Sequence, residues 1–268
     1  MLFRSKDGIE AVPCDLLDPD QVARLPRARN VLYLAGRKFG SSDRPDLTWA
    51  HNTIVPMYVA RRFEGARMVV FSTGNVCPMV PASSAGATED DAPDPVGEYA
   101  QSCLGRERVF EHFSREKGTA CVLFRLFYAV DLRYGTLVDI ARHVRDGEAV
   151  DLGVGRVNAI WQGDANAYAW RALALCATPP VPLIVTGPEP VSVRDAALRF
   201  AARFGRPARF SGDDGGRVLL GNPARCVSLL GAPEVSLDRL IDWTADWVER
   251  GGRSLGKPTK FERVDGKF

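Results

Sequence analysis

The chain has 268 residues, enough for one large or two small domains with a sizeable core. Its 46% hydrophobic and 25% charged residues are the proportions of an ordinary globular protein. With 35 basic against 33 acidic side chains the net charge is only +2, so neither nucleic acid nor an anionic membrane is expected as a partner.

Strand and helix alternate along most of the chain. Ile9 to Cys14 is a short β-prone run ending at Asp15, and Asp18 to Leu25 reads as a short helix. Asn30 to Gly36 is a nearly unbroken apolar run, the pattern of a strand buried on both faces of a parallel sheet. Leu47 to Phe63 has helical periodicity, with Thr48 as a candidate N-cap and Pro56 expected to kink or interrupt the helix. Met68 to Phe71 is the next strand, followed by Ser72-Thr73-Gly74 and a Pro/Ala/Ser/Gly loop over 78–95. A loop of that length in a compact domain is usually functional. Val96 to Lys117 reads as a long helix stopped by Gly118, and Ala120 to Val130 as a β run. A helix at 137–145, a strand near 157–161, a helix at 165–176 and a strand at 182–186 follow.

After Gly187 the pattern becomes helical: 192–204, 217–230 and 236–250, with one short β piece near 208–210. Trp243 and Trp247 stand i, i+4 apart, which predicts one buried helix face; Trp161 is assigned with them to core or interface. Strands alternating with helices predict βαβ units, a parallel sheet and a ligand site at the carboxyl ends of its strands. The division expected is 1–188 for the sheet domain, with 135–156 contributing to a small lobe, and 189–268 for that lobe. The six cysteines form no CxxC and no Cys/His cluster, so a zinc site is not expected and reduced thiols are. No charged-then-apolar leader opens the chain and no apolar run could span a bilayer; a cytoplasmic location is the expectation. The arginine groups Arg61-Arg62 and Arg106/Arg108 read as solvated helix faces.

Several motifs fall in one order: Asp15-Leu16 at a strand end, Ala35-Gly36 at the next, Asn52 in a helix, then Phe-Ser-Thr-Gly-Asn-Val over 71–76. Thr88-Glu89-Asp90, Pro95 and Tyr99 follow, then Arg125 to Ala129, then Ile160-Trp-Gln-Gly-Asp164-Ala. From about residue 9 onward this ordered set resembles the extended short-chain dehydrogenase/reductases, the NAD-dependent epimerase/dehydratase family. The resemblance implies an α/β, Rossmann-like doubly wound parallel sheet with a small, mainly helical C-terminal lobe. It implies NAD or NADP as cofactor, and an oxidoreductase of epimerase/dehydratase type acting on a sugar or sugar-nucleotide. It implies a small-molecule substrate, with homodimerisation through the 96–117 helix as a family-level expectation.

Position by position, the resemblance assigns Asp15 to the adenine amino group, Leu16 to the adenine pocket, and the backbone of Ala35-Gly36 to the nicotinamide ribose. Asp15 read alone is also a helix N-cap. Asn52 becomes a structural hydrogen-bonding residue near the site. Thr73 matches the catalytic Ser/Thr, with Ser72 as the alternative register, and Tyr99 matches the catalytic tyrosine. Tyr128 falls among residues flanking nicotinamide and substrate, and Asp164 matches an acid at the core–lobe junction.

Two departures stand out. The family's Tyr-x-x-x-Lys reads Tyr99-Ala-Gln-Ser-Cys103, so the cation that would lower the tyrosine's pKa is missing from that helix face. Lys38 and Arg106 are the candidate substitutes, Lys38 read alone being a solvent-exposed loop lysine. Cys103 as a nucleophile is a further reading, with His51 and His112 as its candidate bases. The second departure is that no Gly-x-x-Gly-x-x-Gly turn follows a strand, so the pyrophosphate site of the family has no counterpart. The residue-9 strand resembles the family's third, and the opening βαβα unit is expected to be missing, as in an N-terminally truncated sheet. A degraded nucleotide-binding or regulatory protein, or a non-functional fragment, are the alternatives to an enzyme. Val76-Cys77-Pro78 also replaces the usual Val-Tyr-Gly. The C-terminal segment from Lys257 to Phe268 reads either as a surface tail or as a cover over the substrate mouth.

Overall fold

The computed structural model describes residues 8–213, 216–257 and 259–267. The first helix, α1 (Pro19–Arg24), is capped by Asp18, whose carboxylate accepts the backbone N–H groups of Asp20 and Gln21. Strand β1 (Asn30–Tyr33) follows. The predicted long helix is three pieces: α2 (Pro45–Trp49), a π-helical turn over Ala50–Ile54, and α3 (Val55–Arg62). Pro56 sits at the start of α3. It has no N–H to give and its ring would meet the carbonyl four residues back, so the backbone widens by one residue before it. Thr48 is not the N-cap; its hydroxyl donates to the Arg44 carbonyl inside the first piece.

Strand β2 (Arg67–Thr73) ends in a 3₁₀ turn over Gly74–Val76, and β3 (Val80–Pro81) lies in the loop beyond. Helix α4 (Gly97–Lys117) stops at Gly118, which takes the left-handed conformation with φ 68°. Then come β4 (Cys121–Leu126), β5 (Ala129–Val130), α5 (Thr136–Asp146), β6 (Ala149–Asp151), β7 (Arg156–Asn158), β8 (Ile160–Trp161) and α6 (Gln162–Ala172). The remainder is β9 (Val181–Val185), β10 (Pro190–Ser192), α7 (Val193–Phe204), β11 (Arg209–Ser211), β12 (Arg217–Val218), α8 (Ala224–Leu230) and α9 (Leu237–Glu249).

The central sheet has the order β1-β2-β4-β9, all parallel. Its middle strands are the expected apolar runs: Met68, Val69, Val70, Val122, Leu123 and Phe124 are all buried. On one face α3 and α4 bury Val59, Ala60 and Phe110 against it; on the other α6 buries Tyr168 and Ala169. A second core joins α5, α7 and α9 through Leu137, Ile140, Phe200, Leu240 and Ile241. It is reinforced by β6–β11 and β7–β10 pairings. Asp164 accepts the Val235 N–H at 3.0 Å, tying the sheet to the helical part as expected for a junction acid.

Three expectations need correction. Ile9 to Cys14 is not a strand: it pairs with nothing in the central sheet, and Ile9 and Val12 are exposed. Among the described residues β1 has no partner on its outer side, so this run has no ladder to join. Residues 217–223 are not helical, because Arg217 and Val218 pair with Pro81 and Val80, fastening the 78–95 loop to the C-terminal part. On α9 the buried stripe is Leu240, Ile241, Thr244, Ala245 and Val248; Trp243 is 38% exposed on its flank, edge-on to Trp161.

Candidate active site

The carboxyl ends of β1, β2 and β4 meet the first turns of α4 around a cavity of about 300 Å³. Its walls include Lys38, Ser72, Thr73, Tyr99 and Tyr128, so five of the residues singled out in the sequence come together. Asn75, Tyr134 and Thr136 also line it and were not foreseen, while Thr259 belongs to the tail read as a possible cover over the mouth. Asn75 lies within the quoted 71–76 motif, but nothing in its spacing announces a role.

The register at the end of β2 decides which hydroxyl faces the cavity chemistry. The Ser72 hydroxyl donates to Glu107 at 2.6 Å. Glu107 is fully buried and is gripped by both arms of Arg125 at 3.0 and 2.8 Å. Thr73 instead accepts the backbone and side-chain N–H groups of Asn75 at 3.2 and 2.9 Å. The Tyr99 hydroxyl interacts with both Thr73 and Cys103. Burial pushes the Tyr99 pKa far above that of a free phenol, the Cys103 charge adding to the rise and Arg106 opposing it.

Cys103 is fully buried one helical turn below Tyr99. Its thiol pKa is raised by burial, against the pull of Arg106. A thiol kept protonated is a poor nucleophile, and the groups acting on it are Arg106, Tyr99, Glu107 and Lys38 rather than His51 or His112. Cys77, the residue of the altered Val76-Cys77-Pro78 run, is likewise buried, and burial pushes it up to about 11.

Behind the cavity lies a buried polar network. The Asn52 carboxamide is buried; its Oδ1 accepts the Arg37 N–H at 2.9 Å, and its Nδ2 donates to the Arg37 carbonyl at 3.0 Å and to Ser102 Oγ at 2.9 Å. Arg106 donates to the same Oδ1 at 2.6 Å and to the Phe71 carbonyl at 2.7 Å. Arg106 is therefore buried and structural, not part of a solvated face, whereas Arg108 is exposed and pairs with Glu111. Gly36 belongs to this arrangement: a Cβ there would stand 2.3 Å from the Arg106 guanidinium. Glycine lets the loop lie directly on α4.

The remaining candidates sit elsewhere. Asp15 is exposed and turns its carboxylate to the Leu17 N–H at 3.0 Å, a local turn; the helix cap is Asp18. Leu16 and Ala35 pack on the β1 side of the core rather than on the cavity. In the tail, Thr259 binds Asp139 through its N–H and hydroxyl at 2.8 and 2.6 Å and forms part of the cavity wall, and Phe261 is buried. The segment thus borders the mouth, while Pro258 and Phe268 lie outside the described residues. Among the described residues no group of three or more His, Cys, Asp or Glu could hold a metal ion, and no helix is long and apolar enough to cross a membrane.

A parallel sheet flanked by helices thus carries a threonine and a tyrosine together at its carboxyl edge. Residues 3–135 match the model of the NAD dependent epimerase/dehydratase family. Among curated proteins none matches. Solved structures with the same fold include RMD from Pseudomonas aeruginosa complexed with NADPH, at 20% identity and TM-score 0.75, covering 89% of this chain and 88% of that one. The Thermus thermophilus UDP-glucose 4-epimerase complex with NAD has 20% identity and TM-score 0.72, covering 90% and 86%. The Thermotoga maritima UDP-glucose 4-epimerase with UDP-glucose has 18% identity and TM-score 0.73, covering 88% and 83%.

Proposed function

We propose that the protein is an NAD(P)-dependent oxidoreductase of epimerase/dehydratase type acting on a sugar or sugar-nucleotide. The observation that carries this reading is the Thr73–Tyr99 hydroxyl pair facing a 300 Å³ cavity at the carboxyl edge of the sheet. When bound, the dinucleotide supplies the chemistry of taking up and returning a hydride. The chain's own part is proton handling and positioning. Thr73, its oxygen held by Asn75, orients a substrate hydroxyl or carbonyl; Tyr99 takes the proton from that oxygen or returns it. The lobe over 189–268, with 135–156 contributing, closes the substrate side.

The fit to the cofactor is good at one end. Lys38, Ser72, Tyr99 and Tyr128 wall a space suited to a nicotinamide and its ribose, whereas Ala35 and Gly36 do not line it. Asp15 and Leu16 would hold the adenine. No glycine-rich turn for the pyrophosphate occurs among the described residues, and Asp15 is exposed in its own turn. Calorimetric titration with NAD(H) and NADP(H) tests the reading, and micromolar binding is the expected result. A folded chain that binds neither would end it. The second reading, a nucleotide-binding protein without turnover, draws support from Cys103 standing where the family has its lysine. It predicts binding with no hydride exchange on any sugar-nucleotide.

A further inference from the structure

A buried tyrosine is an idle acid unless something stabilises its anion. Tyr99 is in that position: burial drives its pKa up, and the neighbouring Cys103 supplies no positive charge to offset it. Arg106 is the one cation of α4 that acts on it, yet both terminal nitrogens of Arg106 are held by the Phe71 carbonyl and Asn52, and it does not line the cavity. Among the described residues lining the cavity, Lys38 is the only one with a charged side chain.

Lys38 does not reach the cavity by chance of a loose loop. The preceding residue, Arg37, is clamped by Asn52 through both its N–H and its carbonyl, and Asn52 is itself bonded to Ser102 and Arg106 on α4. The 36–38 segment is therefore registered against the very helix that carries Tyr99. Lys38 Nζ stands 5.9 Å from the centre of the Tyr99 ring and 5.9 Å from that of Phe39, which in turn packs edge-on to Tyr134.

We propose that Lys38, delivered by the loop after β1, is the cation that stabilises the Tyr99 phenolate in the catalytic cycle. The inference rests on Tyr99 being the proton carrier of the proposed function. When Tyr99 gives its proton to a substrate oxygen, the charge left on the phenolate lies within reach of the Lys38 ammonium over its ring. Lys38 keeps its protons and forms no covalent bond. Partial burial strengthens the pairing, because the same separation counts for more in a poorly solvated site. It also lowers the Lys38 pKa, with Lys260 of the tail adding to the fall and Cys103 opposing it. The groups facing Lys38 are thus Tyr99 and Cys103 from α4, Lys260 from the tail, and Tyr128 and Tyr134 in the cavity wall.

The test is to place a single difluorotyrosine at position 99 of the whole chain, which makes the phenol acidic enough to titrate, and to follow it by fluorine NMR against pH. Lys38→Met is expected to raise its apparent pKa by about one to three units. Lys38→Arg, which keeps the charge, should leave it nearly unchanged. Cys103→Lys added to Lys38→Met should recover at least half of the shift. Lys38→Gln serves as the neutral variant should the Met variant fail to fold. No shift on neutralising Lys38, or an equal rise in the Arg variant, would overturn the proposal. The titration needs no dinucleotide, so failure of cofactor binding and failure of this pairing are read separately.

Discussion

The two ends of the proposed cofactor path are built to different standards. At the Tyr99 end most buried polar side chains are cross-linked: Ser72 to Glu107, Glu107 to Arg125, Thr73 to Asn75, and Asn52 to Arg37, Ser102 and Arg106, while the Thr136 hydroxyl has no partner. At the other end, residues 8–17 run without a strand, Asp15 is occupied by its own turn, and β1 offers its outer edge to no partner among the described residues. Buried polar networks are costly when half satisfied and rigid when complete. On the proposed function, the groups for proton chemistry and those for gripping a dinucleotide lie in different segments, so the two properties can be separated by substitution.

That contrast can be broken by substitution. Glu107→Ala should have the largest effect, leaving the Arg125 guanidinium uncompensated in a site where its side chain is 6% exposed. Removing one partner of a buried pair costs about 3–5 kcal/mol, visible as a lower urea midpoint. Gly36→Ala should come next. Its new methyl must displace Arg106, and overpacking of this kind costs about 1–3 kcal/mol; the melting temperature should fall and the Asn52 clamp loosen. At the other end, Asp15→Ala should change stability by no more than about 0.5 kcal/mol while weakening dinucleotide affinity, as read by calorimetry. An equal loss of stability at Asp15 and Glu107 would erase the distinction.

The smallest effect concerns pH. Asp18 has its pKa lowered, first by the Gln21 side chain and then by backbone N–H groups at the start of α1. A group with a depressed folded pKa contributes stability above its unfolded value, about 3.9, and loses it as pH falls through the folded one. Asp18→Ala should therefore narrow the difference in melting temperature between neutral pH and pH near 3, slightly, since the residue is near the surface.

Much of this was legible in the residues. Runs such as Met68 to Phe71 announce strands because both faces of a parallel sheet are buried, and Pro56 announces the break that becomes the π turn. Thr73 and Tyr99 were legible from motif order, which the register at Ser72 then refined. Ile9 to Cys14 misled because β propensity cannot supply a pairing partner. Residues 217–223 misled because the β3 pairing, a tertiary contact, overrides helical periodicity. Glu107 and Arg106 were read past for a related reason: on a helix, a charged residue that is buried and one that is solvated look alike until the partner helix or strand is in place. The standing of Lys38 depends on the Asn52–Arg37 clamp, which links residues 15 apart and leaves no local signal.

The most direct test of the account is single-turnover hydride exchange. The protein, loaded with NAD⁺ or NADP⁺, is mixed with a panel of sugar-nucleotides and the reduced dinucleotide is followed by its absorbance, beside the Tyr99→Phe variant. The account predicts exchange with at least one sugar-nucleotide, and a fall of about 10²–10⁴ in rate on losing the Tyr99 hydroxyl, with dinucleotide affinity kept. Equal rates in the two proteins, or dinucleotide binding with no exchange on any member of the panel, would contradict it.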